Sequence, residues 1–247
     1  MGKNKAAFFD IDGTLFRNSL LIEHFYLLTK NNIIDNKAWY EYIKPLYQKY
    51  QDRKGSYEDY LDKASILYQK NLIGLDKSTI DKYAKIAIDI NKSKIYRITK
   101  NAIKYHKENG YKVFVISGSP DFLVKEFAKL YGADHTIATK YIFDEDKKFT
   151  GEIYPMWDSK NKEKSIDFLK DKYDIDLNNS HAYGDTNGDF SMFVKVGFAH
   201  AINPSYELIH NLNEVNKIRD KTLIHIERKD VNYTFSLKDL MVEFKKF

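Results

Sequence analysis

Two pairs of aspartates define the chemistry this chain could do. Asp10 and Asp12 occur in FFDIDGTLF, two residues apart where an apolar run ends. In an extended strand, residues i and i+2 share a face, so both carboxylates point the same way and Ile11 points the other. Two such carboxylates repel unless a cation, a shared proton or solvent intervenes. Gly13 allows a sharp turn, and Thr14 offers a hydroxyl at it. Asp185 and Asp189 form the second pair, in HAYGDTNGDF, again directly after an apolar strand end. Hard oxygen donors in this arrangement suit Mg²⁺. Each pair alone also reads as a turn rich in Asp, Asn and Gly.

A third segment, Ser117-Gly118-Ser119-Pro120, closes the run YKVFVIS. A hydroxyl, a glycine amide and a helix N-terminus converge there, which describes an anion site. It also reads as a plain capped connection, with Ser119 as N-cap and Pro120 at the first helical position. A fourth candidate is a lysine in DSKNKEKSIDF. Lys162, Lys160 and Lys164 compete for the role of neutralising a carboxylate and an anionic substrate. Together, three strand-end loops carrying a carboxylate pair, an anion cradle and a metal-type pair would serve phosphoryl transfer to an aspartate and then to water.

These loops need strands to carry them. Ala6–Asp10 reads as a buried strand. From about residue 96 the pattern alternates. A helix from Tyr96 ends at Gly110, the YKVFVIS strand follows, and a second helix stops near Gly132. Ala133–Ile142 reads as a strand and Asp144–Lys148 as a hairpin turn. A helix spans about Lys160 to Tyr173, strands end at HAYGD and GFAHAI, and Ser236-x-x-Asp239 is expected to cap a final helix. Such alternation implies a mostly parallel, doubly wound sheet covered on both faces. Residues 17–95 differ, with helical periodicity and many tyrosines. Leu20, Leu21, Phe25 and Leu28 can share a helix face, and Ser56-x-x-Asp59 and Ser78-x-x-Asp81 resemble capping boxes. We therefore expect a core of residues 1–16 and 96–247, with a helical insert over 17–95. The insert emerges at the carboxyl edge of the first strand, where open α/β sheets bind ligands, and is placed to act as a lid.

Composition narrows the class. The 247 residues are 43% hydrophobic and 30% charged, which suits a globular fold rather than long disorder. The formal charge of +5 is mild and dispersed, so the expected partner is a small phosphorylated metabolite and not nucleic acid. There is no cysteine, which excludes disulfides, thiolate metal sites and cysteine nucleophiles and fits a cytoplasmic protein. No apolar run approaches the roughly 20 residues a membrane span needs, and since MGKNK leads straight into a strand-like run, no signal peptide is expected.

DIDGT (10–14), SGS (117–119), a lysine near 162 and GDTNGD (184–189) occur in the order found in haloacid dehalogenase superfamily phosphatases. The chain resembles that superfamily, and phrases such as VISGSPDFLV and HAYGDTNGDFSMF look like its subfamily IB, the phosphoserine-phosphatase-like branch. The resemblance implies a Rossmann-like core with an all-helical C1 cap. It also implies Mg²⁺-dependent hydrolysis of a phosphomonoester through an aspartyl phosphate on Asp10, with Asp12 as general acid and base. A phosphotransferase using the same intermediate is the alternative. The implied metal site draws on Asp10, the carbonyl of Asp12, Asp185 and Asp189, the last orienting the metal's surroundings. Ser117, Gly118, Thr14 and the lysine would face the substrate. Lys162 is favoured because Ile166 and Leu169 then fall on the buried face. Two departures stand out. Phosphoserine phosphatases of this branch carry a glutamate and a cap arginine where this chain has Ser19 and Ala64, and their fourth motif is commonly GDGxND. Of the insert's aromatics, Tyr26, Tyr40, Tyr42, Tyr47, Tyr50, Tyr57, Tyr60, Tyr68 and Trp39, most are expected to pack its core. One or two could face the site, where an aromatic face would suit an apolar or cationic leaving group. A structural role is expected for His24.

Overall fold

In the computed structural model, which describes residues 2–52, 54 and 57–240, an eight-stranded sheet forms the frame. Its strands are β1 Ala6–Phe9, β2 Lys112–Pro120, β3 His135–Phe143, β4 Phe149–Tyr154, β5 His181–Gly184, β6 Phe198–Ile202, β7 Thr222–Glu227 and β8 Asn232–Ser236. They lie in the order β4-β3-β2-β1-β5-β6-β7-β8. The six central strands run parallel, while β4 and β8 pair antiparallel at the edges.

Alternation along β1 and β2 divides the core. Phe8, Phe114 and Ile116 face one way, toward Ile166 and Leu169 of α7 (Ser159–Tyr173) and Phe193 of α8 (Phe190–Lys195). Phe9, Val113 and Val115 face the other, toward α5 (Arg97–Glu108), α6 (Asp121–Lys129) and the insert. Strands buried on both faces explain the near-continuous apolar runs read from the sequence. Two short helices, α9 (Tyr206–Glu214) and α10 (Asn216–Arg219), complete the face of α7.

The insert consists of α1 (Leu20–Lys30), a π-helical stretch Ala38–Ile43, α2 (Lys44–Gln51), α3 (Tyr57–Leu72) and α4 (Lys77–Asn91). Leu20, Leu21, Phe25 and Leu28 are all buried, as their spacing requires. Apolar side chains run unbroken from the sheet into the insert, from Phe9 and Val115 through Phe25 and Tyr68. The insert is also tied to the β3–β4 hairpin. Backbone bonds join Gly74 and Leu75 to Phe149 and Lys77 to Lys147, and Gln69 donates to the Gly151 carbonyl at 2.6 Å.

Some local expectations give way. Helix α4 begins one residue after its N-cap Asp76, so Ser78 lies within the helix and caps nothing. Ser56-x-x-Asp59 falls outside the described residues and side chains. Ser119 is not an N-cap, because β2 continues to Pro120 and α6 begins at Asp121. After Ser236 only one turn of 3₁₀ helix follows among the described residues, and the β7–β8 hairpin adds two strands beyond the last one expected, GFAHAI.

Candidate active site

The strand order brings the three motif-bearing loops together. Strand β1 lies between β2 and β5, so the chain turns in opposite directions from it and a crevice opens at the carboxyl ends. Asp10 follows β1, Ser117 to Ser119 end β2, and Asp185 follows β5.

The turn after β1 is tight. The amides of Thr14, Leu15 and Phe16 all donate to the Ile11 carbonyl, and Gly13 adopts φ +80°. Gly13 is required for space as well. A Cβ there would come within 1.9 Å of Asp185 Oδ2. The Thr14 hydroxyl, fully buried, donates to Asp185 Oδ1 at 3.0 Å. Its hydrogen is thereby committed to a neighbouring carboxylate.

Lys162 enters from α7, whose N-terminus is capped by Asp158 accepting from the Asn161 amide at 2.8 Å. Its ammonium donates to Asp10 Oδ1 at 2.7 Å and to Asp189 Oδ1 at 2.6 Å, and the residue is 3% exposed. Lys160 and Lys164 point to solvent, as expected when Ile166 and Leu169 face the core. Asp189 uses its other oxygen to accept from the amides of Asp185 and Thr186 at 3.0 and 3.1 Å. It therefore fixes both the lysine and the loop that presents Asp185.

Asp10, Asp185 and Asp189 each place a carboxylate oxygen within 4.8 Å of the others. Burial pushes the Asp10 carboxyl up, opposed by Lys162 and reinforced by Asp189 and Asp12. Burial likewise lifts Asp185 well above the carboxylate range, with Asp189 and Asp10 adding to it. For Lys162, burial works against the charge, but Asp10 and Asp189 outweigh it and hold the ammonium above its usual range. One lysine faces three carboxylates, so the cluster is short of positive charge. A hard divalent cation fits that deficit and that donor set.

Asp12 is held differently. Ser119 donates its hydroxyl to Asp12 Oδ2 at 2.5 Å, and the amide of Leu20, the first residue of α1, donates to Oδ1 at 2.7 Å. Burial raises its pKa to about 6, with the Ser119 and Leu20 bonds pulling it down. Ser119 was legible only as a helix cap, and its bond to Asp12 could be seen only once β2 was placed beside β1. Ser117 accepts from the Ser119 amide at 3.2 Å, and its own O–H can still donate. The Gly118 carbonyl accepts from the Thr139 hydroxyl at 2.6 Å.

Ser19 and Ala64 are both buried, Ala64 within the insert's apolar cluster. Glu23, one turn beyond Ser19, accepts from Asn18 at 2.7 Å and pairs with Lys94 at 3.2 Å. Tyr60, Tyr68 and Trp39 pack inside the insert, while Tyr26, Tyr40, Tyr42 and Tyr50 are exposed. The side chain of Tyr57 lies outside what is described. His24 is buried against Tyr68, with Nδ1 and the phenol oxygen 2.6 Å apart, in a structural role.

Known proteins share this frame. A Streptomyces azureus protein named for inhibition of morphological differentiation is 33% identical over 99 residues, which is 40% of this chain and 36% of that relative. A Mycobacterium tuberculosis (H37Rv) protein bearing the name "Probable phosphatase" is 35% identical over 95 residues, 38% of this chain and 33% of its own length. The matched stretch thus covers little more than a third of these relatives. A solved phospho-aspartyl intermediate analogue of phosphoserine phosphatase is 25% identical with a TM-score of 0.60, and covers 93% of this chain and 96% of that one. No helix among the described residues is long and apolar enough to cross a membrane. Residues 7–193, which contain all four motifs, match the family of haloacid dehalogenase-like hydrolases, and the chain belongs to that family.

Proposed function

We propose that this hydrolase is a Mg²⁺-dependent phosphatase, acting on a small phosphomonoester through an aspartyl phosphate on Asp10. The observation that carries the reading is the buried Lys162 bridging Asp10 and Asp189 beside Asp185. The relatives support it, since one bears the name "Probable phosphatase" and another was solved as a phospho-aspartyl intermediate analogue.

Asp10 and Asp185, with the Asp12 carbonyl, would hold the metal, and Asp189 would keep Asp185 and Lys162 in place. When bound, Mg²⁺ supplies the positive charge that lets a dianionic phosphate approach these carboxylates. Lys162 neutralises Asp10 and a transferring oxygen, and the Ser117 hydroxyl and Gly118 amide bind the remaining oxygens. Asp10 attacks phosphorus as the bond to the leaving oxygen breaks, and protonated Asp12 gives that oxygen its proton. Asp12 then takes a proton from water, which attacks the aspartyl phosphate, frees inorganic phosphate and regenerates Asp10. A group that titrates at about 6 can serve in both directions near neutral pH.

Residues 1–16 and 96–247 form the catalytic core in this reading, and 17–95 the cap. Ser19 and Ala64 offer neither of the handles that phosphoserine phosphatases of this branch carry, which argues against phosphoserine as the substrate. The test is turnover of 4-nitrophenyl phosphate by wild type and Asp10→Asn with and without Mg²⁺. Metal-dependent phosphate release that vanishes in the variant is expected, and undiminished release in Asp10→Asn would overturn the assignment.

A further inference from the structure

We propose that Trp157 selects the substrate, its indole being the surface against which the leaving group packs, and that the preferred leaving group is therefore apolar. This rests on the phosphatase reading. Trp157 lies between β4 and α7, five residues before Lys162. Its backbone is wedged between two of the motif loops. A Cβ added to Gly118 would meet Trp157 Cβ at 2.8 Å, and one added to Gly188 would meet the Trp157 carbonyl oxygen at 2.7 Å. Glycine at both positions is what admits this segment. Gly188 is also one of the two places where the fourth motif departs from GDGxND, so the departure and the tryptophan belong to one packing arrangement.

The segment is firmly held on either side of Trp157. The Met156 amide donates to the Thr139 hydroxyl at 3.1 Å, and that hydroxyl donates to Gly118. The two oxygens of Asp158 accept from the Asn161 amide and side chain. A fixed backbone thus presents a large ring that is 51% exposed beside the Ser117–Ser119 loop. Covering such a ring with an apolar group is favourable in proportion to the area removed from water.

Two further exposed aromatics stand on other segments whose groups interact with Asp185. Tyr50 of α2 is 39% exposed, and its phenol is raised by burial, by Tyr47 and by Asp185. Tyr206 is 47% exposed and follows Ser205, whose amide donates to the Asp185 carbonyl at 2.8 Å.

The experiment compares 1-naphthyl phosphate with ethanolamine phosphate in wild type, Trp157→Ala and Trp157→Phe, all with Mg²⁺. The ratio of kcat/KM between the two esters is followed, because comparing that ratio across variants cancels the esters' intrinsic reactivities. Trp157→Ala is expected to lower it about tenfold, through a higher KM for the naphthyl ester, while Trp157→Phe keeps most of it. A ratio unchanged in Trp157→Ala, or an equal loss for both esters, overturns this inference and leaves the phosphatase reading standing. No turnover of either ester by wild type removes both. An independent check uses Asp10→Asn, in which 1-naphthyl phosphate should quench the emission of exposed Trp157 and ethanolamine phosphate should not. Equal quenching by the two also overturns the inference.

Discussion

Arg17 donates to Glu227, and the pair ties the point where the insert leaves the core to strand β7 near the far end of the chain. The Glu227 side chain is fully buried, and its second oxygen accepts from the Ile98 amide at 2.9 Å. Arg17 also donates to the Ile95 carbonyl and lies over the Tyr96 ring, 4.4 Å from its centre. Both connections of the insert, before α1 and after α4, therefore meet at one buried carboxylate.

Glu227→Ala leaves Arg17 and the Ile98 amide without their acceptor. It is expected to lower the unfolding free energy by about 2 kcal/mol, discounted from a fully buried pair because Arg17 is partly exposed. Urea titration measures this. A change under about 0.5 kcal/mol would show that the pair is dispensable.

Lys162→Met removes the only cation bonded to Asp10 and Asp189 among the described residues. Turnover is expected to fall at least about 1000-fold, as when a principal transition-state donor is lost. The variant should also gain more thermal stability from Mg²⁺ than wild type does, because the unpaired carboxylates then depend more on the metal. Calorimetry with and without Mg²⁺ reads both proteins, and equal gains would refute the account.

Ser119→Ala removes a donor to Asp12. That bond lowers the Asp12 pKa, so its loss moves the value up from about 6. The limb of the pH–rate profile that reports Asp12 should shift to higher pH, with kcat falling about tenfold and KM little changed. Ser119→Thr should restore the profile. An unshifted profile in the alanine variant would assign Ser119 a purely structural place.

Three histidines cross the sheet in a line. His181 Nδ1 meets His200 Nε2 at 3.0 Å, His200 Nδ1 meets His225 Nε2 at 3.0 Å, and His225 Nδ1 meets Thr234 at 3.0 Å. Burial lowers His225 to about 4 and, with Lys5, His181 to about 4. Burial lowers His200 well below its usual range, helped by its neighbours. Above the ordinary value of 6.5 the rings are neutral in both states and the ladder's stability is fully present. As pH falls from 6.5 toward 4 the unfolded chain binds protons first, and stability is lost. A fall in Tm of roughly 10 °C over that window is expected for a chain of this size. The slope should flatten in His225→Gln, whose side chain stays neutral throughout, and an unaltered slope would clear the ladder of responsibility.

The candidate site was legible where its spacing is local. Strand alternation paired Asp10 with Asp12, and the burial of Ile166 and Leu169 on one helix face favoured Lys162 over Lys160 and Lys164. What escaped the sequence depends on which strands become neighbours. The histidine ladder joins residues 19 and 25 positions apart through the registers of β5, β6 and β7. Thr14 and Ser119 were read by local grammar, as a turn hydroxyl and a helix cap. In the fold each donates to a carboxylate that reaches it from a different loop. Trp157 carried no signal, because the glycines that admit it are 39 residues before it and 31 after it.

Gly13 also limits how this sequence can change. Its φ of +80° disfavours any side chain, and the Asp185 oxygen at 1.9 Å forbids one on separate grounds. Relieving either constraint leaves the other in force, so no single compensating mutation opens the position. A variant library aimed at new substrates should hold residue 13 constant and begin at Trp157, whose half-exposed ring can be trimmed without disturbing the carboxylates.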